Sequence, residues 1–137
     1  DVAPSRGLGD VYKRQCLQDL EILEPDWLAL LKQWEQAPEL PGFAPQDPEK
    51  LERIAVYFAF RYLLKAVNDG DLLGRAQFCA LGVLVTDRLS RFVGLPEALR
   101  LFSREIEHNE ENLGTLLEQF WQTEGLSLSA LLAAFGG

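Results

Sequence analysis

The residue types best suited to chemistry lie in one acidic segment, residues 105–111, which reads EIEHNEE. His108 is the only histidine of the chain, and it stands three residues after Glu105. This Glu-x-x-His spacing matches one half of a di-iron carboxylate site. A complete site needs a second such pair and two further glutamates that face inward. Because the chain has no second histidine, the sequence disfavours a di-iron centre.

Two other interpretations of the acidic segment remain open. It is either a solvated acidic helix face or one side of a polar contact with a basic stripe on an earlier predicted helix. In the second case Arg61 and Lys65 are the expected partners of its glutamates, and the contact contributes little if exposed and more if desolvated. The sequence does not identify the catalytic residues, and we predict one polar cluster composed of Arg61, Lys65, Glu105, Glu107 and His108.

The other motifs for metals, phosphates and nucleophiles are incomplete. Residues 69–71 (DGD) resemble the start of a calcium loop, but no glutamate follows at the twelfth position, so Asp71 is interpreted as a helix cap. Cys16 and Cys79 are too few for a disulfide framework, and their spacing is not that of metal ligands. Residues 7–9 (GLG) lack the strand and third glycine of a phosphate loop. The sequence thus predicts no metal site.

Composition restricts the class of protein. The 137 residues suit one domain, and 47% of them are apolar, which is enough for a core. The net charge of −8 argues against a nucleic-acid partner and against docking on an anionic membrane. The apolar stretches are far shorter than the roughly 20 residues that span a bilayer. With no secretion signal visible, we expect a cytoplasmic location.

The first fifteen residues share no pattern with the rest of the chain. Residues 10–15 (DVYKRQ) resemble the translated end of a transposon that is used to prepare sequencing libraries. We therefore expect residues 1–15 to be a non-native junction segment that is disordered and packs against nothing. Residues 16–137 are then expected to form a single helical domain, and the domains upstream of it are expected to be missing from this sequence.

Start and stop signals predict helices near residues 25–36, 48–68, 72–92, 96–122 and 127–135. Asp47, Asp71 and Ser127 suit N-caps, and Gly70 suits the left-handed position in a short joint. Asn109 interrupts the apolar pattern of the fourth helix, which is compatible with a break near 108–112. No strand-like alternation longer than four residues is present. We predict an all-α fold, a compact antiparallel bundle of four to six helices.

Apolar periodicity predicts how these helices pack. The second predicted helix carries two apolar stripes, one through Phe58 and one through Val56 and Phe60, so we expect it to be the central helix. The third carries one stripe that includes Phe78, and the fourth has a heptad rhythm that includes Phe102. We expect these three helices to meet around Phe58, Phe78 and Phe102.

Three segments together resemble the C-terminal part of the flagellin lysine-N-methylases. Residues 57–73 (YFAFRYLLKAVNDGDLL) are similar to a segment near the C-terminus of that family, and residues 103–113 (SREIEHNEENL) resemble its closing acidic signature. Residues 16–20 (CLQDL) and 23–27 (LEPDW) are similar to the stretch upstream. The resemblance covers about residues 16–122.

The resemblance implies an enzyme that methylates the ε-amine of flagellin lysines, with S-adenosylmethionine as the methyl donor and flagellin as the partner. It also implies a cysteine-bound metal centre in an N-terminal domain. This chain lacks the family's cysteine cluster, so no metal ligand is transferred to it and no cofactor is expected on it. The alternative function is a non-catalytic helical protein-interaction module.

A catalytic role of the acidic segment would be to bind a substrate lysine. Glu105, Glu107 or Glu110 would act as counter-ions for a substrate lysine, and Tyr57 or Tyr62 would form an apolar wall. Methyl transfer requires a neutral amine, so such a site needs a base or a desolvating pocket that lowers the pKa of lysine. We expect a structural role of the helices instead, in which they brace the upstream domain.

Overall fold

The computed structural model describes residues 3–37, 45, 47–63, 70–123 and 126–135, with side chains from residue 11 onward. In these residues the chain is helical and has no strand, which confirms the all-α prediction. The helices are α1 (Ala3–Gln18), α2 (Pro25–Gln36), α3 (Pro48–Phe58), α4 (Leu72–Val93), α5 (Leu95–Phe102), α6 (Glu110–Gln122) and α7 (Leu128–Phe135). Two π-helical turns, π1 (Ala59–Leu63) and π2 (Ser103–Glu107), continue α3 and α5.

Side-chain caps begin three helices where the sequence predicts them. Oxygen atoms of Asp47, Asp71 and Ser127 accept hydrogen bonds from the backbone N–H three residues later, at 3.2, 3.0 and 3.2 Å. Each bond satisfies an N–H group that has no partner within its helix. Gly70 has a φ angle of 72°, the left-handed conformation that a residue without a Cβ adopts readily.

The predicted fourth helix is broken, and α1 adds a further helix, so the number of α-helices in the described residues is seven rather than four to six. The turn π2 ends with a hydrogen bond from the His108 N–H to the Ser103 carbonyl at 2.8 Å. The Asn109 side chain then accepts from the Asn112 N–H at 3.1 Å and starts α6. An asparagine that interrupted the apolar pattern is therefore the cap of a new helix.

Three phenylalanine rings form the centre of the core. Phe58, Phe78 and Phe102 have no exposed surface, and their ring centroids lie 5.9–6.0 Å apart. Trp27 from α2 packs edge-on against Phe102, and Tyr62 packs against Phe78. The expected meeting of the three predicted helices around these rings is confirmed. Buried apolar residues from every helix, α1 to α7, form one core cluster.

The central helix is α4, and the prediction that the second predicted helix is central was wrong. All residues from 80 to 90 of α4 are buried, because α2, α3, α5, α6 and α7 pack around it. The helix α3 buries only the stripe through Phe58, while Val56 and Phe60 of its second stripe are 48% and 69% exposed. Sequence periodicity marks an apolar face but does not show whether a neighbour covers it.

The expected disorder of residues 1–15 is contradicted in the described part of that segment. Residues 3–15 belong to α1. The Lys13 side chain is buried, and the Arg14 guanidinium lies over the Trp34 ring, 5.9 Å from its centroid. This stacking of a cation on an aromatic face attaches α1 to α2. The non-native origin of these residues stays a prediction.

Within the described ranges, no helix is both long enough and apolar enough to cross a membrane. Even the 22-residue helix α4 carries buried polar residues along its length. The Gln77 amide donates to the Leu126 carbonyl at 3.0 Å, and the Ser90 hydroxyl donates to the Asp87 carbonyl at 2.6 Å. These bonds show how a helix surrounded by protein keeps polar side chains inside the core.

Substitution of Gly82 tests the packing of α3 against α4, and substitution of Gly114 is the control. A Cβ atom on Gly82 would lie 3.0 Å from the Phe58 ring, whereas one on Gly114 in α6 would meet nothing within 4 Å. Overpacking makes Gly82→Leu destabilising by about 2–3 kcal/mol. The same change at the exposed Gly114 leaves the free energy of unfolding unchanged or raises it by up to about 1 kcal/mol, because glycine is a poor helix former. Urea unfolding followed by circular dichroism measures both, and equal effects at the two sites would contradict this packing.

Candidate functional site

The two π-helical turns bring together the side chains that surround Glu107. A turn closed by hydrogen bonds five residues apart is wider than an α-helical turn. Because of this widening, Arg61 and Tyr62, four and five residues after Tyr57, both lie on the side of π1 that faces Glu107. On π2, Ser103 stands four residues before Glu107 and shares its side of the turn.

The Glu107 carboxylate is buried and accepts several hydrogen bonds. Its Oε2 atom accepts from the Tyr57 hydroxyl at 2.6 Å and lies 2.7 Å from Nε of Arg61. Its Oε1 atom accepts from the Ser103 hydroxyl at 2.7 Å. The Glu107 side chain has no exposed surface, while 41% of the Arg61 side chain is exposed. One buried anion thus ties the end of α3–π1 to the end of α5–π2.

The pKa values around Glu107 follow from this arrangement. Burial by itself would raise the pKa of Glu107, but the hydrogen bonds from Tyr57, Ser103 and Tyr62 outweigh it, so the net pKa is below its usual 4.5. Burial, and then the hydrogen bond to this carboxylate, raise the pKa of Tyr57 to about 12. Burial likewise raises the pKa of Tyr62. The cluster is therefore a carboxylate held ionised by neutral phenols, a hydroxyl and a guanidinium.

Glu105 has a different set of partners. Its two carboxylate oxygens accept hydrogen bonds from the backbone N–H groups of Leu23 and Glu24, at 2.8 and 2.9 Å. These N–H groups directly precede α2, where the helix dipole favours a negative charge. The Glu105 residue is fully buried. Its carboxylate fixes the turn between α1 and α2, about eighty residues away along the chain.

Asn112 and Arg104 also bind the turn between α1 and α2. The Asn112 amide accepts from the Glu21 N–H at 3.1 Å and donates to the Glu21 carbonyl at 2.8 Å. It also donates to the backbone carbonyl of Glu105 at 2.9 Å. The Arg104 guanidinium lies 3.2 Å from the carboxylate of Glu24. The start of α6 and the turn π2 together hold the segment that leads into α2.

The structure brings some of the predicted cluster residues together and separates others. Arg61 and Glu107 form the expected contact between the basic stripe and the acidic segment. Glu105 points away to the α1–α2 turn, so it does not share this contact. His108 is exposed at the end of π2. Lys65 lies outside the described residues.

Three residues of the site, Tyr57, Ser103 and Asn112, were not part of the predicted polar cluster. Tyr57, which shares the predicted basic stripe with Arg61, was considered as an apolar wall but not as a hydrogen-bond donor, and Ser103 and Asn112 were noted only as part of a resemblance. The signals were present, because Tyr57 precedes Arg61 by four residues and Ser103 precedes Glu107 by four. Residues four apart share a helix face. The pairing of these two faces across about fifty residues has no local signal.

The described residues do not fit the cysteine-bound metal centre that the resemblance implies. Among them, no group of three or more histidine, cysteine, aspartate or glutamate side chains is placed to hold a metal ion. The Cys16 thiol donates to the Lys13 carbonyl, and burial raises its pKa to about 12. The Cys79 thiol donates to the Phe58 carbonyl, and burial raises its pKa to about 11. Metal ligation requires a thiolate, which both environments disfavour.

Comparison of the chain with protein-family models, with curated proteins and with solved structures finds no match. The likeness to flagellin lysine-N-methylases therefore depends on the three sequence segments alone. The contacts of Glu105 and Glu107 are the structural observations that bear on function.

Removal of the Glu107 carboxylate is expected to destabilise the fold. The change Glu107→Ala leaves the hydroxyls of Tyr57 and Ser103 without their acceptor and Arg61 without its counter-ion. We expect a loss of about 2–4 kcal/mol, below the largest values for buried ion pairs because Arg61 is partly exposed. Glu118→Ala, an exposed glutamate on α6, serves as the control and changes stability by less than about 0.5 kcal/mol. Chemical unfolding measures both, and a similar small effect at Glu107 would show that its contacts are not energetically important.

The same carboxylate predicts a pH dependence with a definite sign. Since the pKa of Glu107 is lower in the folded chain than its usual 4.5, its contribution is present above that pH. The contribution is lost as the pH falls through the lower, folded pKa. The difference in unfolding free energy between the wild type and Glu107→Gln should therefore be constant near neutrality and shrink below about pH 4.5. Urea unfolding of both proteins over that range measures it, and a difference that grows on acidification would contradict the low pKa.

Proposed function

We propose that this chain is a non-catalytic helical module in which the carboxylates of the acidic segment stabilise the fold through contacts within the chain. The observation that carries the proposal is the use of both central carboxylates by donors of the same chain. Glu105 accepts two backbone N–H groups, and Glu107 accepts two hydroxyls and pairs with a guanidinium. A carboxylate that is buried and fully hydrogen-bonded stabilises a fold, whereas a catalytic one must reach a substrate.

Because Glu105 and Glu107 already bind donors of the same chain, the acidic segment is poorly suited to bind a substrate lysine. A lysine ammonium would have to displace Arg61 from Glu107 or backbone donors from Glu105, and both glutamates are buried. The Glu107 side chain is ionised and already compensated, so it exerts little further attraction on a cation. Tyr57 and Tyr62 are likewise used as donors or are buried. Glu110 is exposed to solvent, so its carboxylate is not in a desolvated environment.

We further propose that the module belongs to a flagellin lysine-N-methylase-like enzyme. The support is the resemblance of residues 16–20 with 23–27, 57–73 and 103–113 to that family. In such an enzyme another domain would hold S-adenosylmethionine and the cysteine-bound centre, and would transfer the methyl group to flagellin lysines. The role of this chain would be to brace that domain in the cytoplasm. Apart from Glu21, the residues that make the contacts of Glu105, Glu107, Asn112 and Arg104 lie within the resembling segments, as expected if the family uses these contacts to stabilise the module.

A helical interaction module without any link to methylation is the second candidate. The observation that favours it is the exposure of large apolar side chains, above all Phe60 and Trp121. Exposed aromatic groups of this size are common at sites of protein contact. The two candidates differ in what the upstream reading frame encodes. A cysteine-rich segment there supports the methylase, and a start codon near Cys16 supports the independent module.

A methyl-transfer assay tests the non-catalytic role. The chain is incubated with flagellin and S-adenosylmethionine that carries a labelled methyl group, and methyl-lysine is measured by mass spectrometry. We expect no more product than without the chain, because Glu105 and Glu107 are bound by donors of the same chain and Glu110 is exposed to solvent. A complete flagellin lysine-N-methylase provides the positive control. Methylation that depends on the chain and is abolished by Glu107→Gln, in a variant that remains folded, would refute the proposal.

A further inference from the structure

The second half of α4 carries polar side chains in the interior of the fold. Residues 86–91 read TDRLSR, and residues 86–90 are all buried. Such a run is unusual in a helix that five others surround, because charged side chains are seldom buried unless they are paired. A buried polar group that lacks a hydrogen-bond partner destabilises the fold. The partners of these side chains therefore decide what the run does.

Two of the buried side chains carry an oxygen atom without a hydrogen-bond partner. The Thr86 residue has no exposed surface, and Asp87 is 2% exposed. The hydroxyl of Thr86 and the Oδ2 atom of Asp87 are both covered by protein, and neither makes a hydrogen bond. The hydroxyl is neutral at every pH of interest, whereas the carboxyl group ionises. Only the destabilisation at Asp87 can therefore depend on pH.

The charged groups that act on Asp87 lie on its own helix. The Nη2 atom of Arg91, one turn later, is 3.9 Å from Oδ2 of Asp87, which is beyond hydrogen-bond distance. Arg88, the next residue along the chain, also attracts the carboxylate. The described residues of α2, α3, α5, α6 and α7, which pack on α4, add no further charged group that acts on it. Burial of the carboxylate is therefore offset only in part.

Asp87 and Glu107 are opposite cases of a buried carboxylate. Glu107 accepts hydrogen bonds from two hydroxyls and lies 2.7 Å from Nε of Arg61, and its pKa is below the usual value. At Asp87 burial outweighs the attraction of Arg91 and Arg88, so the pKa of this carboxyl group is above its usual 3.8. Hydrogen bonds favour the ionised form at Glu107, and their absence disfavours it at Asp87.

We propose that Asp87 is a pH-sensitive element of the fold, which destabilises the packing of α4 when it is ionised and stops doing so when it binds a proton. Because α4 is the central helix, a change in the free energy of its packing acts on the whole described core. The element responds to mild acid in the sense opposite to Glu107. It is independent of the proposed function, since no catalytic activity is involved.

The sign of the effect follows from proton binding. The carboxyl group of Asp87 has a higher pKa in the folded chain than in the unfolded chain, so the folded chain binds this proton first as the pH falls. The folded state therefore gains stability relative to the unfolded state at pH values above 3.8. Below that pH both states hold the proton, and the gain is complete. The contribution of Glu107, in contrast, is lost on acidification.

The test is urea unfolding of the full chain from neutrality down to about pH 4. Asp87→Asn keeps the shape of the side chain but cannot ionise. We expect the folded-to-unfolded ratio of the wild type to rise about fivefold relative to that of Asp87→Asn as the pH falls. Thr86→Val is the matched control, because it removes the neighbouring buried hydroxyl without changing any charge. Its stability relative to the wild type should be the same at every pH.

A second measurement does not depend on whether a variant folds. The carboxyl carbon of Asp87 in the wild type is followed by nuclear magnetic resonance during an acid titration, and its resonance is assigned through the backbone. We expect a midpoint above 3.8. Arg91→Gln removes the nearest positive charge at a side chain that is 21% exposed, and it should move the midpoint to a still higher pH.

Two results would overturn the proposal. One is a stability difference between the wild type and Asp87→Asn that does not change with pH. The other is a wild-type midpoint for Asp87 at or below 3.8, which would show that the arginines compensate the carboxylate fully. Neither result bears on the methyl-transfer assay, so the two proposals stand or fall separately.

Discussion

A buried carboxylate must be compensated where it lies, and this requirement at Glu107 organises the surrounding structure. Removal of an ionised group from water is costly unless hydrogen bonds or a counter-ion replace the lost solvation. Glu107 obtains these from Tyr57 and Arg61 on one element and from Ser103 on its own. The donors reach it only if α3–π1 lies against α5–π2. The contacts of Glu107 therefore join two elements that both also pack against α4.

The two π-helical turns make this geometry available. A regular α-helix would place Tyr57 and Arg61 on one face but turn Tyr62 away from it, whereas the wider turn keeps all three near Glu107. Turns of this kind often occur at functional sites. In this chain their use is internal, because the carboxylate they surround is covered and its acceptors are occupied. In this chain the π-helical turns therefore serve a structural contact between two elements.

The packing of α3 on α4 leaves some apolar side chains of α3 exposed. Five helices pack around α4, and α3 contributes only one of its two apolar stripes to that contact. The other stripe remains in water together with Lys50 and Arg53. The exposure of Val56 and Phe60 is thus a consequence of how α3 packs on α4.

Local patterns in the sequence predicted most of the helices after residue 24 and much of the core. The caps Asp47, Asp71 and Ser127, the joint at Gly70 and the buried rings of Phe58, Phe78 and Phe102 all follow from short-range rules of capping and periodicity. These rules work because they involve residues a few positions apart.

Only the tertiary structure decided which helix is central, which glutamate meets Arg61 and where Glu105 points. The Glu107 contact joins residues about fifty positions apart, and the Glu105 contact joins residues about eighty positions apart. A stripe of apolar residues predicts burial against some neighbour, and an acidic run predicts a need for positive partners. Neither pattern identifies the neighbour or the partner, because that choice depends on how all the helices share one limited core.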